Sequence, residues 1–117
     1  MVKLEESRNR EVEFLTTKDG RCFVLDWLRS LKDNIAKARV LVRIKRASLG
    51  NLGDYKYLRE GVYEMRIPYG PGLRLYFSIT RENELLLLLI GGDKSTQGRD
   101  IVKAIGLYQE YKEQDHE

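Results

Sequence analysis

Three strand-like segments joined by tight turns fill residues 61–94, and this pattern most strongly limits the folds open to the chain. Apolar residues alternate with Arg74 and Tyr76, which is the period of a strand with two unlike faces. The unbroken apolar run at residues 85–90 is typical of a strand buried on both faces. Gly-Pro-Gly at residues 70–72 predicts a turn between two of these strands. The stretch therefore predicts the centre of a β-sheet.

The rest of the chain predicts helices packed against this sheet. Strands are expected at residues 12–17, 55–59, 62–69, 73–78 and 84–90. Apolar residues at helical spacing predict one helix around Trp27, a second after Asp33 and a third around Ala104. The predicted order is β-α-α-β-β-β-β-α. We therefore expect a single α+β domain over residues 1–117, with a small antiparallel sheet packed against helices.

The second predicted helix is basic. Asp33 or Asn34 can cap its N-terminus, and Ile35, Ala38 and Val42 are expected to form one apolar stripe, with Leu41 and Ile44 beside it. Its other face is expected to carry Lys37, Arg39, Arg43, Lys45 and Arg46. We interpret these five cations as candidate RNA-binding residues.

The charge of the chain is unevenly distributed, although its net charge is only +3. Residues 29–66 hold ten Lys or Arg against four Asp or Glu, a local net charge of +6. Residues 100–117 hold two Lys or Arg against five Asp or Glu, a local net charge of −3. Such asymmetry is informative about partners and not about fold. One interpretation is that the basic residues 29–66 bind phosphate groups. The alternative is that they form a solvated basic helix with no partner.

The sequence has only one histidine and one cysteine, which argues against several kinds of active site and metal site. The single histidine, His116, is next to the last residue, so we expect neither a histidine-dependent triad nor a histidine-rich metal site. The single cysteine, Cys22, cannot form an internal disulfide or a multi-cysteine metal site. The glycine pairs lack the strand-loop-helix context of a phosphate-binding loop. We therefore expect no metal and no cofactor.

The sequence also predicts a cytoplasmic protein without a membrane partner. The longest apolar run, residues 85–90, is far shorter than the roughly 20 residues that span a bilayer. The first residues, MVKLEESRNREVEF, are too charged for a secretory signal.

Arginine, lysine and tyrosine are the residue types left that can act on an RNA phosphate. Attack by a 2′-hydroxyl requires removal of its proton, stabilisation of the negative transition state and protonation of the leaving oxygen. Arginine binds phosphate bidentately, lysine can remove a proton where its neighbours lower its pKa, and tyrosine can donate a proton or stack on a base. The candidate catalytic residues are Lys56, Arg66, Arg74, Tyr76 and Lys94, and Tyr69 is a further candidate for RNA binding.

The sequence does not determine whether Arg66 and Arg74 lie on the same side of the sheet. Their relative placement depends on the register set by the Gly-Pro-Gly turn. The alternative to an RNA site is an ordinary solvated sheet face with cross-strand ion pairs.

The order GNLGDYK, then MRIPYGPGLRLYF, then LLLLIGGDKSTQGRDI resembles the RelE/ParE toxin superfamily. The similarity is to the branch of phage-derived or addiction-module killer proteins related to the HigB toxins, and it extends from about Phe14 to Tyr108. It implies a compact toxin with three helices and an antiparallel sheet. It also implies metal-independent cleavage of mRNA on the ribosome, and a helix-turn-helix, HigA-like antitoxin that joins the toxin in a hetero-oligomer.

The resemblance implies roles for individual residues. Arg74, within GLRLYF, matches the arginine of a strand motif in the family. Lys94 matches the basic position after the last strand, and Lys56 occupies the basic position that opens the second strand. Relatives that cleave RNA carry an arginine at the end of the third strand, where this chain has Arg66 nearby but not aligned.

Three functions follow as expectations. The first is a ribosome-dependent mRNA endonuclease that inhibits translation as the toxin of a type II toxin–antitoxin module. The second is a non-catalytic, ParE-like toxin that inhibits DNA gyrase, because the two activities share one fold. The third is a non-toxic binding module. Codon preference, oligomeric state and the identity of the general acid and base stay open.

Overall fold

A five-stranded mixed sheet forms the centre of the molecule. The computed structural model describes residues 8–114. Its strands are β1 (Glu11–Phe14), β2 (Tyr55–Arg59), β3 (Val62–Ile67), β4 (Leu73–Thr80) and β5 (Leu85–Asp93). They lie side by side in the order β1-β5-β4-β3-β2. The strands β2 to β5 form an antiparallel meander, and β1 pairs with β5 in parallel.

Helices cover both faces of this sheet. They are α1 (Phe23–Ser30), α2 (Asn34–Ser48) and α3 (Gln97–Glu113), with one short 3₁₀ helix, Lys94–Thr96, directly before α3. The predicted α+β class is confirmed. Within residues 8–114, no helix is both long enough and apolar enough to cross a membrane. His116 lies outside the described residues.

The expectation of a wholly antiparallel sheet is wrong for β1. This strand pairs in parallel with β5, with Val12 opposite Leu86. Only a tight hairpin forces neighbouring strands to be antiparallel, and here two helices and three strands separate β1 from β5. Because β5 has a strand on each edge and a helix on each face, residues 85–89 are at most 2% exposed. The predicted burial of this strand on both faces is confirmed.

The two faces of the sheet carry separate hydrophobic cores. The core under α1 and α2 includes Val40, Met65, Leu75, Phe77 and Leu88. The core under α3 includes Val62, Tyr76, Leu87, Ala104 and Tyr108. This division follows from the alternation of side chains along β3, β4 and β5. We refer to the two sides as the α2 face and the α3 face.

The helix α2 buries a different stripe from the one expected. Asp33 caps it as predicted, by accepting hydrogen bonds from the amides of Ile35 and Ala36. The residues that pack against the sheet are Ala36, Val40, Ile44 and Ala47. The predicted stripe is wrong, because Ile35 is 57% and Val42 47% exposed. The small alanines let the helix lie close to the sheet, and the stripe that contains Ile35 and Val42 is left in solvent.

Four strands, β1, β3, β4 and β5, end at different residues from those predicted. The strand β3 stops at Ile67 instead of residue 69, since Pro68 has no N–H to donate to a neighbouring strand. The strand β5 continues past residue 90 through Gly91 and Gly92. A Cβ on Gly91 would lie only 2.0 Å from the Cε3 atom of Trp27. The glycine therefore allows the Trp27 ring to pack directly on the sheet.

Adding a methyl group at this contact is expected to destabilise the fold. We expect Gly91→Ala to lower the free energy of unfolding by about 2–3 kcal/mol, because overpacking forces Trp27 or the strand to move. Gly98→Ala is the matched control, since a Cβ there meets no atom within 4 Å and lies in a helix. Urea unfolding of the two variants measures the difference. Equal stabilities would contradict the close packing of Trp27 on β5.

Candidate functional site

The register of the sheet brings four of the candidate catalytic residues onto the α3 face. Arg66 on β3 lies directly opposite Arg74 on β4. Tyr76 lies opposite Glu64, which is two residues before Arg66 and therefore on the same face. On the other neighbour of β3, the edge strand β2, Lys56 pairs with Glu64 and is exposed. The register that the sequence left open thus places the two arginines next to each other.

A buried carboxylate, Glu64, joins these side chains, and its exposed fraction is 0%. Its Oε1 atom is 3.5 Å from Nε of Arg66, and its Oε2 atom is 3.7 Å from Nε of Arg74. The Tyr76 hydroxyl donates a hydrogen bond to Oε2 at 3.2 Å. The side-chain amide of Gln97, at the start of α3, donates to the same oxygen at 2.6 Å. We call these five residues the Glu64 cluster.

The Glu64 cluster carries excess positive charge. One carboxylate faces two guanidinium groups, at distances that make ion pairs but exceed ordinary hydrogen bonds. The Arg66 side chain is 40% exposed, whereas that of Arg74 is 12% exposed. Nη1 of Arg74 also donates to the carbonyl of Gly72 at 3.2 Å, which fixes its orientation. An anion from solvent would therefore meet Arg66 first, with Arg74 held in place behind it.

Tyr76 is fully buried within the cluster. Burial raises the pKa of its hydroxyl, and the negative charge of Glu64 together with the hydrogen bond to Glu64 raises the pKa further. A buried hydroxyl that is bonded to a carboxylate cannot reach a leaving oxygen. Proton donation by Tyr76, which the sequence suggested, does not fit this geometry, and the residue instead positions the carboxylate of Glu64.

Because Tyr76 is buried, we expect its hydroxyl to make the free energy of unfolding fall at alkaline pH. Above the usual pKa of 10.0, the unfolded chain loses the phenolic proton while the folded chain keeps it. Stability should therefore fall as pH rises from about 9 to about 11, because the folded state binds more protons than the unfolded state. Tyr76→Phe should reduce this fall, as measured by urea unfolding at several pH values. Tyr57→Phe, at a residue that is 55% exposed, is the control. An unchanged pH dependence in Tyr76→Phe would contradict the role of this buried hydroxyl.

Lys94 lies beside Arg74 at the end of β5. A Cβ on Gly72 would be 3.3 Å from Nη1 of Arg74 and 3.6 Å from Cβ of Lys94, so both residues lie next to this glycine. Asp93 caps the 3₁₀ helix that Lys94 begins. Hydrogen bonds from the Ser95 hydroxyl and amide hold the pKa of Asp93 below its usual range. Lys94 is exposed, and the cap fixes its backbone at the edge of the cluster.

A second buried carboxylate, Asp100, lies next to the cluster and is 6% exposed. It accepts a hydrogen bond from the Thr96 hydroxyl, and its charge helps to raise the pKa of Tyr76. Gly92, which pairs with Arg74 across the strands, leaves room for it, since a Cβ there would lie 1.9 Å from Oδ2 of Asp100. Across the described part of the chain, no three His, Cys, Asp or Glu side chains are grouped so that they could hold a metal ion.

The cations of α2 are not brought together with the Glu64 cluster. They lie on the helix that covers the α2 face, on the other side of the sheet. Arg43 is partly buried, and its guanidinium donates to the backbone carbonyls of Arg66, Leu52 and Asp54. Burial lowers the pKa of Arg43. This predicted RNA-binding residue thus connects α2 to β3 and the preceding loop, and its guanidinium is already engaged.

Tyr69 packs against the start of α2. Its hydroxyl donates to Oδ2 of Asp33 at 2.7 Å, and this bond raises the pKa of Tyr69 and lowers that of Asp33. The guanidinium carbon of Arg39 is 5.0 Å from the centre of the Tyr69 ring. The remaining candidates differ in exposure, with Lys37 half-buried and Lys45 and Arg46 exposed.

Sequence reasoning missed Glu64 and Gln97. A signal for Glu64 exists, since an acidic residue two positions before Arg66 in a strand must share its face. No comparable signal exists for Gln97, because 33 residues separate it from Glu64.

The chain has a bacterial relative. It is 48% identical over 84 residues to a protein of Haemophilus influenzae, and the match covers 72% of this chain and 84% of that protein. The chain belongs to the family of that protein. The relative is described as an uncharacterized protein. No protein-family model matches the chain, and no solved structure matches it.

Proposed function

We propose that the chain is a metal-independent endoribonuclease whose active site is the Glu64 cluster together with Lys56 and Lys94. The observation that carries this proposal is the pairing of Arg66 and Arg74 against one buried carboxylate. Two guanidinium groups on adjacent strands that share the carboxylate of Glu64 suit a phosphodiester. Lys56 and Lys94 are exposed at the rim of this pair.

The proposed reaction is an attack of the 2′-hydroxyl on the adjacent phosphate. The hydroxyl loses its proton, its oxygen bonds to phosphorus, and the bond from phosphorus to the 5′ oxygen breaks. The 5′ oxygen takes a proton, so the products are a 2′,3′-cyclic phosphate and a 5′-hydroxyl. Arg66 and Arg74 stabilise the negative charge that develops on the phosphate oxygens.

The proton transfers are assigned to the exposed amines of Lys56 and Lys94. Glu64 and Tyr76 are both fully buried and bonded to each other, so neither reaches an RNA hydroxyl. Their role is to hold the arginines in place.

The biological setting that we propose is a type II toxin–antitoxin module in the cytoplasm. The chain would cut mRNA on the ribosome and would be inhibited by a helix-turn-helix, HigA-like antitoxin in a hetero-oligomer. The similarity of sequence order to the RelE/ParE superfamily supports this setting, as do exposed cations of α2 such as Lys45. Contacts of these cations with ribosomal phosphates would weaken steeply as salt rises.

One observation favours a non-catalytic alternative. Because Glu64 and Tyr76 are buried, lysines are the groups of this site left for proton transfer. An arginine-rich face of this kind can instead bind a protein, as expected of a ParE-like inhibitor of DNA gyrase or of a non-toxic binding module.

Controlled expression in a bacterial host tests the proposal. We expect growth arrest with cuts in translated mRNA, and rescue when a neighbouring gene for a helix-turn-helix protein is expressed together with it. Gyrase-dependent DNA breaks with intact mRNA would favour the ParE-like alternative. Normal growth without any antitoxin would favour the binding module.

A further inference from the structure

An apolar groove of about 610 Å³ runs along the solvent side of α2. It is bounded by α2 on one side and by the end of β3 with Pro68 on the other. Its apolar lining includes Ile35, Ala38, Val42 and Pro68, and Arg39 and Arg46 also line it. The groove lies on the α2 face, away from the Glu64 cluster.

The exposure of this stripe is unusual for a helix that is packed on a core. The buried stripe of α2 already holds Val40 and Ile44, so the core does not need a second stripe. Ile35 and Val42 are nevertheless 57% and 47% exposed. Contiguous exposed apolar residues rimmed by charge are typical of a surface that another protein covers.

The charges of the groove indicate the chemistry of its occupant. Its lining includes three arginines and no acidic residue. Arg43 donates to backbone carbonyls, whereas Arg39 and Arg46 are exposed. Because Arg39 and Arg46 are seven residues apart, they lie on one side of α2 and are separated by about 10.5 Å along its axis. Carboxylates seven residues apart on a second helix would match this spacing.

We propose that the groove binds an amphipathic helix of a different protein, with apolar residues in the groove and acidic residues along one edge. RNA fits this surface less well, because an aliphatic floor offers neither hydrogen bonds nor an aromatic ring to an unpaired base. A symmetric pair of copies of this chain fits less well too. Such a dimer would place the same arginines against one another.

Two fluorescent peptides test the proposal on the full-length protein. Both are 18-residue amphipathic helices with leucines on one face, and they differ only in carrying Glu or Lys at edge positions seven residues apart. We expect the Glu peptide to bind, as measured by fluorescence anisotropy. The Arg39→Glu/Arg46→Glu double variant should weaken it by about tenfold or more and should strengthen binding of the Lys peptide. The control double variant Arg29→Glu/Lys45→Glu changes exposed cations outside the groove. It should neither weaken binding of the Glu peptide nor strengthen binding of the Lys peptide.

A second pair of variants tests the apolar contact. Val42→Ser should weaken binding of the Glu peptide by about tenfold, because it removes a side chain that the helix would bury. Leu41→Ser is the matched control, since Leu41 is 51% exposed on the same helix but does not line the groove. Three results would overturn the proposal. The first is equal binding of both peptides to both double variants, and the second is displacement of the Glu peptide by single-stranded RNA. The third is a dimer of the chain in ultracentrifugation that the Val42→Ser substitution dissociates.

Discussion

Replacing Glu64 with glutamine is expected to lower the free energy of unfolding by about 2–4 kcal/mol. The substitution keeps the shape of the side chain but removes the negative charge that faces Arg66 and Arg74. Loss of one partner from a fully buried ion pair costs about 3–5 kcal/mol, since an uncompensated charge is left inside the protein. Water reaches Arg66, whose side chain is 40% exposed, and this screening reduces the loss.

A surface ion pair provides the matched control for this prediction. Glu84 lies 3.4 Å from Arg8, and both side chains are exposed. Glu84→Gln should change the free energy of unfolding by less than about 1 kcal/mol, because exposed pairs contribute little. Guanidinium chloride would mask these charges, so urea unfolding at low salt is the suitable measurement. A Glu64→Gln variant as stable as Glu84→Gln would mean that the carboxylate of Glu64 does not hold the two arginines.

Replacing Arg74 with alanine is expected to reduce RNA cleavage by about a thousandfold while leaving the fold intact. Removal of one preorganised donor to a developing negative charge typically costs about a hundredfold to a thousandfold, and arginines that stabilise phosphoryl transition states can contribute more. Arg74 is held by the Gly72 carbonyl and by Glu64, so its position is set before RNA binds. Arg74→Lys should recover only part of the loss, since an ammonium cannot bind phosphate in a bidentate manner.

The reduction must be distinguished from a loss of folding. Circular dichroism and urea unfolding should show that Arg74→Ala is folded, and we expect stability to change by less than in Glu64→Gln. Arg29→Ala, at an exposed cation on α1, should retain wild-type cleavage. Growth arrest should disappear in Arg74→Ala and persist in Arg29→Ala. Persistent toxicity of folded Arg74→Ala would exclude Arg74 from the mechanism.

The fold class was predictable because its signals are local. Alternation around Arg74 and Tyr76 and the apolar run at residues 85–90 each involve neighbours within one strand. The parallel pairing of β1 was not predictable in this way, since it depends on how the chain returns after two helices and three strands. The buried stripe of α2 was ambiguous as well. Two apolar stripes exist in its sequence, and only contact with the sheet selects the one with small alanines.

The candidate site was only partly predictable, because it depends on register and on long-range contacts. The sequence identifies Arg66 and Arg74 as cations at strand spacing, but the hairpin between β3 and β4 decides that they are opposite each other. The role of Tyr76 changes with burial, which a strand pattern with a polar face did not indicate. Gln97 is brought to Glu64 only by the packing of α3 on the sheet.

The most direct test is cleavage of mRNA by the purified chain on translating ribosomes, with the ends of the products identified chemically. Wild-type protein is expected to produce 2′,3′-cyclic phosphate and 5′-hydroxyl ends, and folded Arg74→Ala is expected to produce at least about a hundredfold fewer. Uncut mRNA with wild-type protein, or equal cleavage by wild-type protein and Arg74→Ala, would contradict an RNA-cleaving site at the Glu64 cluster.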